Sequence, residues 1–409
     1  MRVFHFIDRP LTVEQLRSGG QSMNHGGTWM AAFLGQMLRK TEFEIAFAAF
    51  GSTRRVQTSG APGIRSFLIP DRACLERSLQ MCCDVVKEWR PDLIHVHGTE
   101  SAYGLLAARK RVACPVVISL QGLLGPCSEW YRYFGNRSLT DIVRMHRWLE
   151  IPAMRGQLMG FLRFRKKAQR EREILLSGRF FIGRTAWDRA YLRAQNPGAR
   201  YYHGGEVIRE AFRLNRWQMA KARRHRVIFT NSGHPRKGTE TLVEAVQLLR
   251  AHFPDIRAAI GGGISRRSGY GRYLRRRISE LAGAVIELGQ LDSEQMAREL
   301  LASHVFVSPS FIDNSPNAVC EAQLLGMPVV STYTGGVPSL IEEGRTGLFF
   351  PTGDAPMLAA RLRELFEDDA LAVRLGEEAR AVALRRHDPN QVIRDVVAIY
   401  EDVLRKAAG

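Results

Sequence analysis

The stretch 311–325 contains two carboxylates that could take part in binding or catalysis. Seven residues separate Asp313 from Glu321, and the spacing places the first acid in a loop and the second inside a helix that the loop introduces. Ala322 and Leu325 follow at helical spacing and predict the packing face of that helix. Ionised carboxylates can accept hydrogen bonds from hydroxyl groups.

The start of this helix is predicted to bind phosphate. Ser315 can serve as the N-cap and Pro316 as the first helical residue. The helix would then direct free N–H groups, including those of Asn317 and Ala318, toward a ligand, and such a helix end favours an anion. A capped surface helix that carries an exposed glutamate is the alternative interpretation.

A second basic element lies at residues 231–238, which read NSGHPRKG. It stands between a strand and a helix, where a glycine-rich turn brings backbone amides close to a phosphate. Gly233 supplies the turn, Lys237 supplies a point positive charge, and His234 and Arg236 lie beside it. The alternative is an ordinary strand-to-helix turn with solvated basic side chains.

Short apolar strands alternate with amphipathic helices along the chain, which is typical of doubly wound parallel sheets. An arginine-rich segment at 207–225 breaks the alternation and is predicted to be a linker. We therefore predict two domains, 1–210 and 226–389, and 409 residues suit two hydrophobic cores. The predicted strands are 3–7, 92–97, 115–120, 226–230, 256–260, 285–288, 305–307 and 329–331, and the predicted helices include 28–38, 102–108, 139–176 and 390–407.

The composition favours an anionic partner. Lys and Arg number 59 against 41 Asp and Glu, a formal charge of +18 that suits nucleotide-sugars, acidic membranes or nucleic acid. Nucleic-acid-binding signatures do not accompany this charge. The six cysteines lack zinc-like or redox spacing, and no apolar run approaches the ~20 residues of a membrane span. Since Met1 leads directly into a strand-like run, we expect a cytoplasmic protein without a secretory leader.

These motifs resemble the donor site of retaining glycosyltransferases of family 4, in a polysaccharide-synthesis branch. The resemblance implies an α/β GT-B fold, with two Rossmann-like domains whose parallel sheets face a central cleft. It also implies that a C-terminal helix, 390–409, joins the first domain. Asp313 stands where most of the family has glutamate. The motifs that carry the resemblance are the two acids before GMPVV, Lys237-Gly238, TGGVP at 334–338, EGRTGL at 343–348 and the stretches 181–188 and 201–203.

The resemblance implies roles for the donor-site residues. Glu321 would bind the ribose hydroxyls, Asp313 the donor sugar, and Lys237 the diphosphate, together with the amides near Ser315 and Asn317. The arginine that most of the family places beside the diphosphate is His234 here. Either His234 or Arg236 must then supply its interaction.

In the first domain, the resemblance points to Gly26 and Gly27 as the pair that faces the diphosphate, although Gly19 and Gly20 compete for this assignment. Gln121 stands where many family members have a histidine, and an amide cannot act as acid, base or cation. Period-two alternation places His95 and His97 on one side of their strand. We expect only His97 to lie near the cleft and His95 to be packed.

The function implied is transfer of a sugar from a nucleoside diphosphate sugar to a saccharide or lipid-linked acceptor, with retention of configuration. Exopolysaccharide, capsule or O-antigen synthesis in bacteria is the expected setting. No metal ion or bound cofactor is expected, because the nucleotide-sugar is a co-substrate. A sugar-nucleotide epimerase of related fold is the nearer alternative, and a nucleic-acid-binding protein the more distant one.

A basic segment between Arg144 and Arg172 predicts contact with an anionic membrane surface. Its cations alternate with Trp148, Leu158, Phe161 and other apolar residues, as in helices that lie on a bilayer. The alternative is a solvated basic helix that packs its leucines and phenylalanines inward. The cations within the segment are Arg147, Arg155, Arg163, Arg165, Lys166, Lys167 and Arg170.

Overall fold

The computed structural model describes residues 1–17, 28–71, 74–135, 137–145, 156–230, 233–281 and 283–408. These residues form two compact units. The first contains Met1–Gly125, Lys166–Arg209 and Arg386–Gly409, and the second contains Pro126–Arg165 and Glu210–Arg385. The segment Pro126–Arg165, which the sequence analysis assigns to the first domain, therefore packs with the second unit.

The first unit is built on an eight-stranded sheet. Its strands are β1 (Arg2–Phe6), β2 (Glu44–Gly51), β3 (Gln57–Ala61), β4 (Ile64–Pro70), β5 (Leu93–His97), β6 (Val116–Ser119), β7 (Phe180–Gly183) and β8 (Arg200–His203). They lie in the order β3-β4-β2-β1-β5-β6-β7-β8, and β3 pairs antiparallel with β4 whereas the other pairs are parallel. The strand order therefore reverses between β1 and β5.

The second unit is built on a six-stranded parallel sheet. Its strands are β9 (Arg223–Thr230), β10 (Arg257–Gly261), β11 (Val285–Gly289), β12 (Ser303–Ser308), β13 (Val329–Thr332) and β14 (Leu348–Phe350). They lie in the order β11-β10-β9-β12-β13-β14. The reversal falls between β9 and β12, and ligands of doubly wound sheets bind at the carboxyl ends of the strands at such a point.

Helices connect the strands of both sheets. They are α1 (Val13–Arg17), α2 (Thr28–Lys40), α3 (Leu75–Trp89), α4 (Leu105–Ala108), α5 (Leu124–Cys127), α6 (Trp130–Phe134), α7 (Leu139–Met145), α8 (Gln157–Ser177), α9 (Ala186–Gln195), α10 (Glu210–Leu214), α11 (Thr239–Leu249), α12 (Gly269–Ser279), α13 (Ser293–Leu301), α14 (Asn317–Leu325), α15 (Ala355–Glu367), α16 (Asp369–Arg386) and α17 (Pro389–Ala408). None of the helices in the described ranges is both long and apolar enough to cross a bilayer.

The core of the first unit has two layers, because successive side chains of a strand point to opposite faces of the sheet. Val3 and Ile7 pack with α2 and α17 on one face of the sheet, whereas Phe4 and Phe6 pack with α3 on the other. Each such buried side chain contributes roughly 1.5–3 kcal/mol through the hydrophobic effect. Because α17 supplies part of one layer, the C-terminal helix is an integral part of the first unit.

Three predicted elements differ from the structure in extent. The long helix predicted at 139–176 is α7 and α8, and residues 146–155 between them lie outside the described residues. The predicted linker 207–225 contains α10 and the first residues of β9. The helix predicted at 102–108 is only the single turn α4. The predicted α/β fold with two parallel-sheet units is confirmed.

Candidate functional site

An ion pair lies at the reversal point of the second sheet. Lys237 Nζ donates a hydrogen bond to Asp313 Oδ2 at 2.5 Å, and Ser310 Oγ donates to the same oxygen at 3.3 Å. The lysine follows β9 and the aspartate follows β12, which are neighbouring strands. Their side chains are 11% and 19% exposed. Two residues that the sequence analysis assigns to one ligand therefore meet at the strand ends where such ligands bind.

Gly238 allows the loop after β9 to lie close to the loop after β12. Its φ of +69° lies in the left-handed region, and a Cβ at this position would stand 1.9 Å from the carbonyl oxygen of Pro309. The Phe311 amide donates to the carbonyl oxygen of Arg236 at 2.7 Å and fixes the contact. A residue without a side chain is thus required next to Lys237.

The loop after β13 supports Asp313 from a third direction. The Gly336 amide donates to the Asp313 carbonyl oxygen at 3.0 Å, and the Thr334 hydroxyl donates to the Phe311 carbonyl oxygen at 3.0 Å. Gly335 has a φ of +51°, and a Cβ there would stand 2.0 Å from the same Asp313 oxygen. The TGGVP motif therefore holds the backbone of Asp313 in place.

The helix that carries Glu321 begins one residue later than the sequence predicts. Pro316 is the N-cap residue, with extended backbone angles of φ −68° and ψ 116°, and Asn317 is the first residue of α14. The prediction of Ser315 as N-cap is wrong, because the helix begins at Asn317 and Pro316 is its N-cap residue. Asn317 and Ala318 form the first turn, and Glu321 follows four residues after Asn317 on the same helix face. Glu321 is buried.

His234 and Arg236 differ in charge and in the contacts that they make. His234 Nδ1 accepts a hydrogen bond from the Arg236 amide at 3.2 Å. Burial, together with the neighbouring charges of Arg236 and Lys237, lowers the pKa of His234 to about 3. The imidazole is therefore neutral at physiological pH. The Arg236 guanidinium lies 6.0 Å from the Phe164 ring, and no carboxylate of the described chain pairs with it.

A histidine cluster lies at the reversal point of the first sheet. His5 and His95 are direct neighbours in register on β1 and β5, and His5 Nδ1 lies 3.0 Å from His97 Nε2. His95 contacts the hydroxyl groups of Tyr400 at 2.6 Å and Ser119 at 2.7 Å. Burial holds the pKa of each histidine below its ordinary value, and the three imidazoles are neutral. His97 is only 4% exposed, so it is packed like His95.

One ring nitrogen from each of the three histidines lies within 4.8 Å of the other two, which makes the cluster a candidate cation site. Imidazole is a suitable ligand for zinc. However, both ring nitrogens of His95 contact hydroxyl groups, and the His95 and His97 rings stack at 3.8 Å. Coordination would have to break one of these hydrogen bonds and turn a stacked ring. Metal independence stays a prediction.

The sequence analysis missed His5 and Glu100. Side chains alternate between the two faces of a strand, so His5 on one strand can share a face with His95 and His97 on its neighbour. This pattern could have indicated His5. The Glu100 carboxylate lies beside Gly98, and it accepts a hydrogen bond from the Gly122 amide at 3.0 Å. Burial, together with the nearby Glu171 and Asp8, raises the pKa of Glu100 to about 7. The predicted glycine pair 26–27 and the competing pair 19–20 lie outside the described residues.

The architecture is that of the GT-B glycosyltransferases. The sucrose-phosphate synthase of Thermosynechococcus elongatus superimposes with a TM-score of 0.75 over 99% of both chains at 19% identity. At this identity the likeness shows the fold alone.

A match to a family model lies within the second unit. Residues 224–368 match the family model described as "Glycosyl transferases group 1". The D-inositol 3-phosphate glycosyltransferase of Pseudarthrobacter chlorophenolicus is 35% identical over 36% of this chain and 35% of its own length. The phosphatidyl-myo-inositol mannosyltransferase of Mycolicibacterium smegmatis is 33% identical over 41% and 42%. The chain thus matches less than half of the length of these relatives. The family-model match includes Lys237, Asp313 and Glu321.

Proposed function

We propose that this chain is a retaining glycosyltransferase that takes its sugar from a nucleoside diphosphate sugar. The observation that carries the proposal is the buried pair of Lys237 and Asp313 at the reversal point of a parallel sheet. It lies within the segment that matches group 1 glycosyltransferases. The family 4 assignment and a role in bacterial surface-polysaccharide synthesis belong to the same proposal.

Each site residue binds a different part of the donor. Glu321 binds the ribose hydroxyls, and Asp313 binds the sugar. Lys237 and the amides at the start of α14 bind the diphosphate, whose negative charge grows as the bond to the anomeric carbon breaks. The anomeric carbon forms its new bond to the acceptor hydroxyl on the same face, and the released phosphate oxygen takes the acceptor proton. These donors neutralise the leaving group without a metal ion.

Nucleotide release tests this proposal. UDP-glucose, GDP-mannose and other nucleoside diphosphate sugars are screened for thermal stabilisation, since a ligand at 100 times its Kd adds about 2.7 kcal/mol. The sugar that binds should release its nucleotide in excess EDTA. Replacing Glu321 with alanine should lower donor affinity roughly 5- to 150-fold, because a buried acceptor of hydrogen bonds is worth about 1–3 kcal/mol.

Glu294→Ala provides the control for Glu321→Ala. Glu294 is exposed on α13, and its loss should leave nucleotide release unchanged. An epimerase would convert the sugar and retain the nucleotide linkage. Full activity of Glu321→Ala, or a requirement for manganese or magnesium, would contradict the assignment.

A membrane surface is the proposed location of the acceptor. On α8, Leu158 and Leu162 are 38% and 43% exposed, whereas Phe161 is buried. Arg163 and Arg165 are exposed on the same helix, and Leu139 and Val143 are exposed on α7. The phenylalanine therefore packs inward while leucines and cations face outward. An apolar strip with flanking cations supports contact with the cytoplasmic leaflet, where a lipid-linked saccharide would be the acceptor.

Sedimentation with vesicles should measure this contact. Binding to phosphatidylcholine vesicles is expected to rise with phosphatidylglycerol content and to fall with salt. Removing four cations should weaken binding at least about tenfold, since each contributes about 1 kcal/mol near an anionic surface. The test variant carries serine at Arg163, Arg165, Lys166 and Lys167, and the charge-matched control carries serine at Arg266, Arg267, Arg276 and Arg298. Equal loss in both variants would mean that net charge alone causes binding, and no binding by the parent would reject the proposal.

A further inference from the structure

An aromatic cluster from the segment Pro126–Arg165 covers the basic loop of the second unit. Tyr133, Phe134, Ile142 and Phe161 are its buried members, and Trp130 and Phe164 pack against them. The Tyr133 ring meets the His234 ring edge-on, with centroids 4.7 Å apart and planes at 88°. The same tyrosine lies 5.0 Å from Phe161 and 5.2 Å from Phe164. Phe161 and Phe164 thus hold Tyr133 in place against His234.

The ends of α6 fix this cluster to the unit. Tyr131 contacts Phe311 at a centroid distance of 5.3 Å. After the helix, Gly135 has a φ of +69° and its Cβ would lie 3.1 Å from the Phe311 ring. Arg137 forms a buried ion pair with Glu240, and its guanidinium lies 4.5 Å from the Tyr273 ring. The segment therefore touches both loops that supply Lys237 and Asp313.

The hydrogen bonds of His234 determine where its proton lies. Nδ1 accepts the Arg236 amide hydrogen, so the neutral ring carries its proton on Nε2. Tyr133 on α6 and the cations Arg236 and Lys237 on its own loop are the titratable groups around it. Each cation opposes a further positive charge, and the Tyr133 ring excludes water from the imidazole. Nε2–H is left as a neutral donor beside two cations.

We propose that His234 donates a neutral hydrogen bond from Nε2 to the donor diphosphate, that Arg236 and Lys237 supply the charge, and that Tyr133 is a positioning residue for His234. The proposal rests on the proposed function. It assigns separate tasks to two residues that the sequence leaves as alternatives. It also predicts that donor affinity does not depend on ionisation of His234 above pH 5.

The test measures the affinity for UDP-glucose and GDP-mannose by calorimetry at pH 5.5 and pH 8.0, because neither diphosphate diester titrates in this range. The wild type should show the same affinity at both values within about twofold. In Tyr133→Ala the pKa of the exposed imidazole should rise toward its ordinary value, and binding should be about three- to tenfold tighter at pH 5.5 than at pH 8.0, since a charged donor is stronger than a neutral one. Tyr133→Ala combined with His234→Gln should lose this pH dependence.

Tyr133→Phe keeps the ring and should retain the pH-independent behaviour of the wild type. If Tyr133→Ala does not fold, Tyr133→Leu fills the volume without an aromatic edge and takes its place. His234→Ala should weaken binding several-fold at both pH values, because it removes the donor. Normal binding by His234→Ala, or a pH-independent Tyr133→Ala, would overturn this inference and leave the proposed function intact. A wild type that binds no nucleotide-sugar would overturn both.

Discussion

Replacing Lys237 with alanine is expected to lower kcat/KM about 10²- to 10³-fold, because removal of one preorganised donor to a developing negative charge typically costs about 3–4 kcal/mol. Lys237 is nearly buried and bonds directly to Asp313. Its loss would remove the charge that faces the leaving diphosphate and would leave the aspartate without its cation. Steady-state kinetics with the nucleotide-sugar identified by thermal stabilisation provides the measurement.

Lys221→Ala is the matched control for this prediction. Lys221 is exposed in the same unit and lies in a short 3-10 turn before β9. It carries the same charge, so general electrostatic attraction of the donor would be weakened equally by both substitutions. Comparable kinetics of the two variants would show that Lys237 has no special position relative to the diphosphate.

Replacing Gly238 with alanine is expected to destabilise the second unit by about 2–5 kcal/mol, because left-handed backbone costs roughly 1–2 kcal/mol and a steric overlap adds roughly 1–3 kcal/mol. The new methyl group would stand 1.9 Å from the Pro309 carbonyl oxygen, so one of the two loops must move. Movement of either loop separates Lys237 from Asp313. Donor affinity should therefore fall together with the midpoint of thermal unfolding.

Gly344→Ala separates backbone strain from steric overlap. Gly344 has a φ of +72°, close to the +69° of Gly238, but a Cβ there would meet no atom within 4 Å. We expect it to lose only the roughly 1–2 kcal/mol of the left-handed conformation and to bind the donor normally. If both variants lose the same stability and affinity, close packing of the two loops does not support the site.

Local sequence patterns were sufficient for the α/β fold class, whereas the assignment of the donor-site residues stays a prediction. Alternation of apolar strands and amphipathic helices reports parallel sheets, since each pattern depends only on which side chains share a face. Gly238 and Gly335 belong to two of the motifs, but only the structure shows that their backbone is left-handed. The N-cap at Ser315 was predicted wrongly, because a proline with extended backbone angles can itself precede the first helical turn.

The sequence by itself determined which residues stand at strand ends, but the tertiary structure decided which of them meet. Lys237 and Asp313 lie 76 residues apart, and they pair because β9 and β12 are neighbours in the sheet. His5 joins His95 through strand register in the same way. The segment Pro126–Arg165 packs with the second unit through Tyr133, Arg137 and their partners, although its sequence follows the first. Periodicity describes one element at a time, whereas pairing between distant elements depends on sheet order and on the surfaces that only the folded chain brings together.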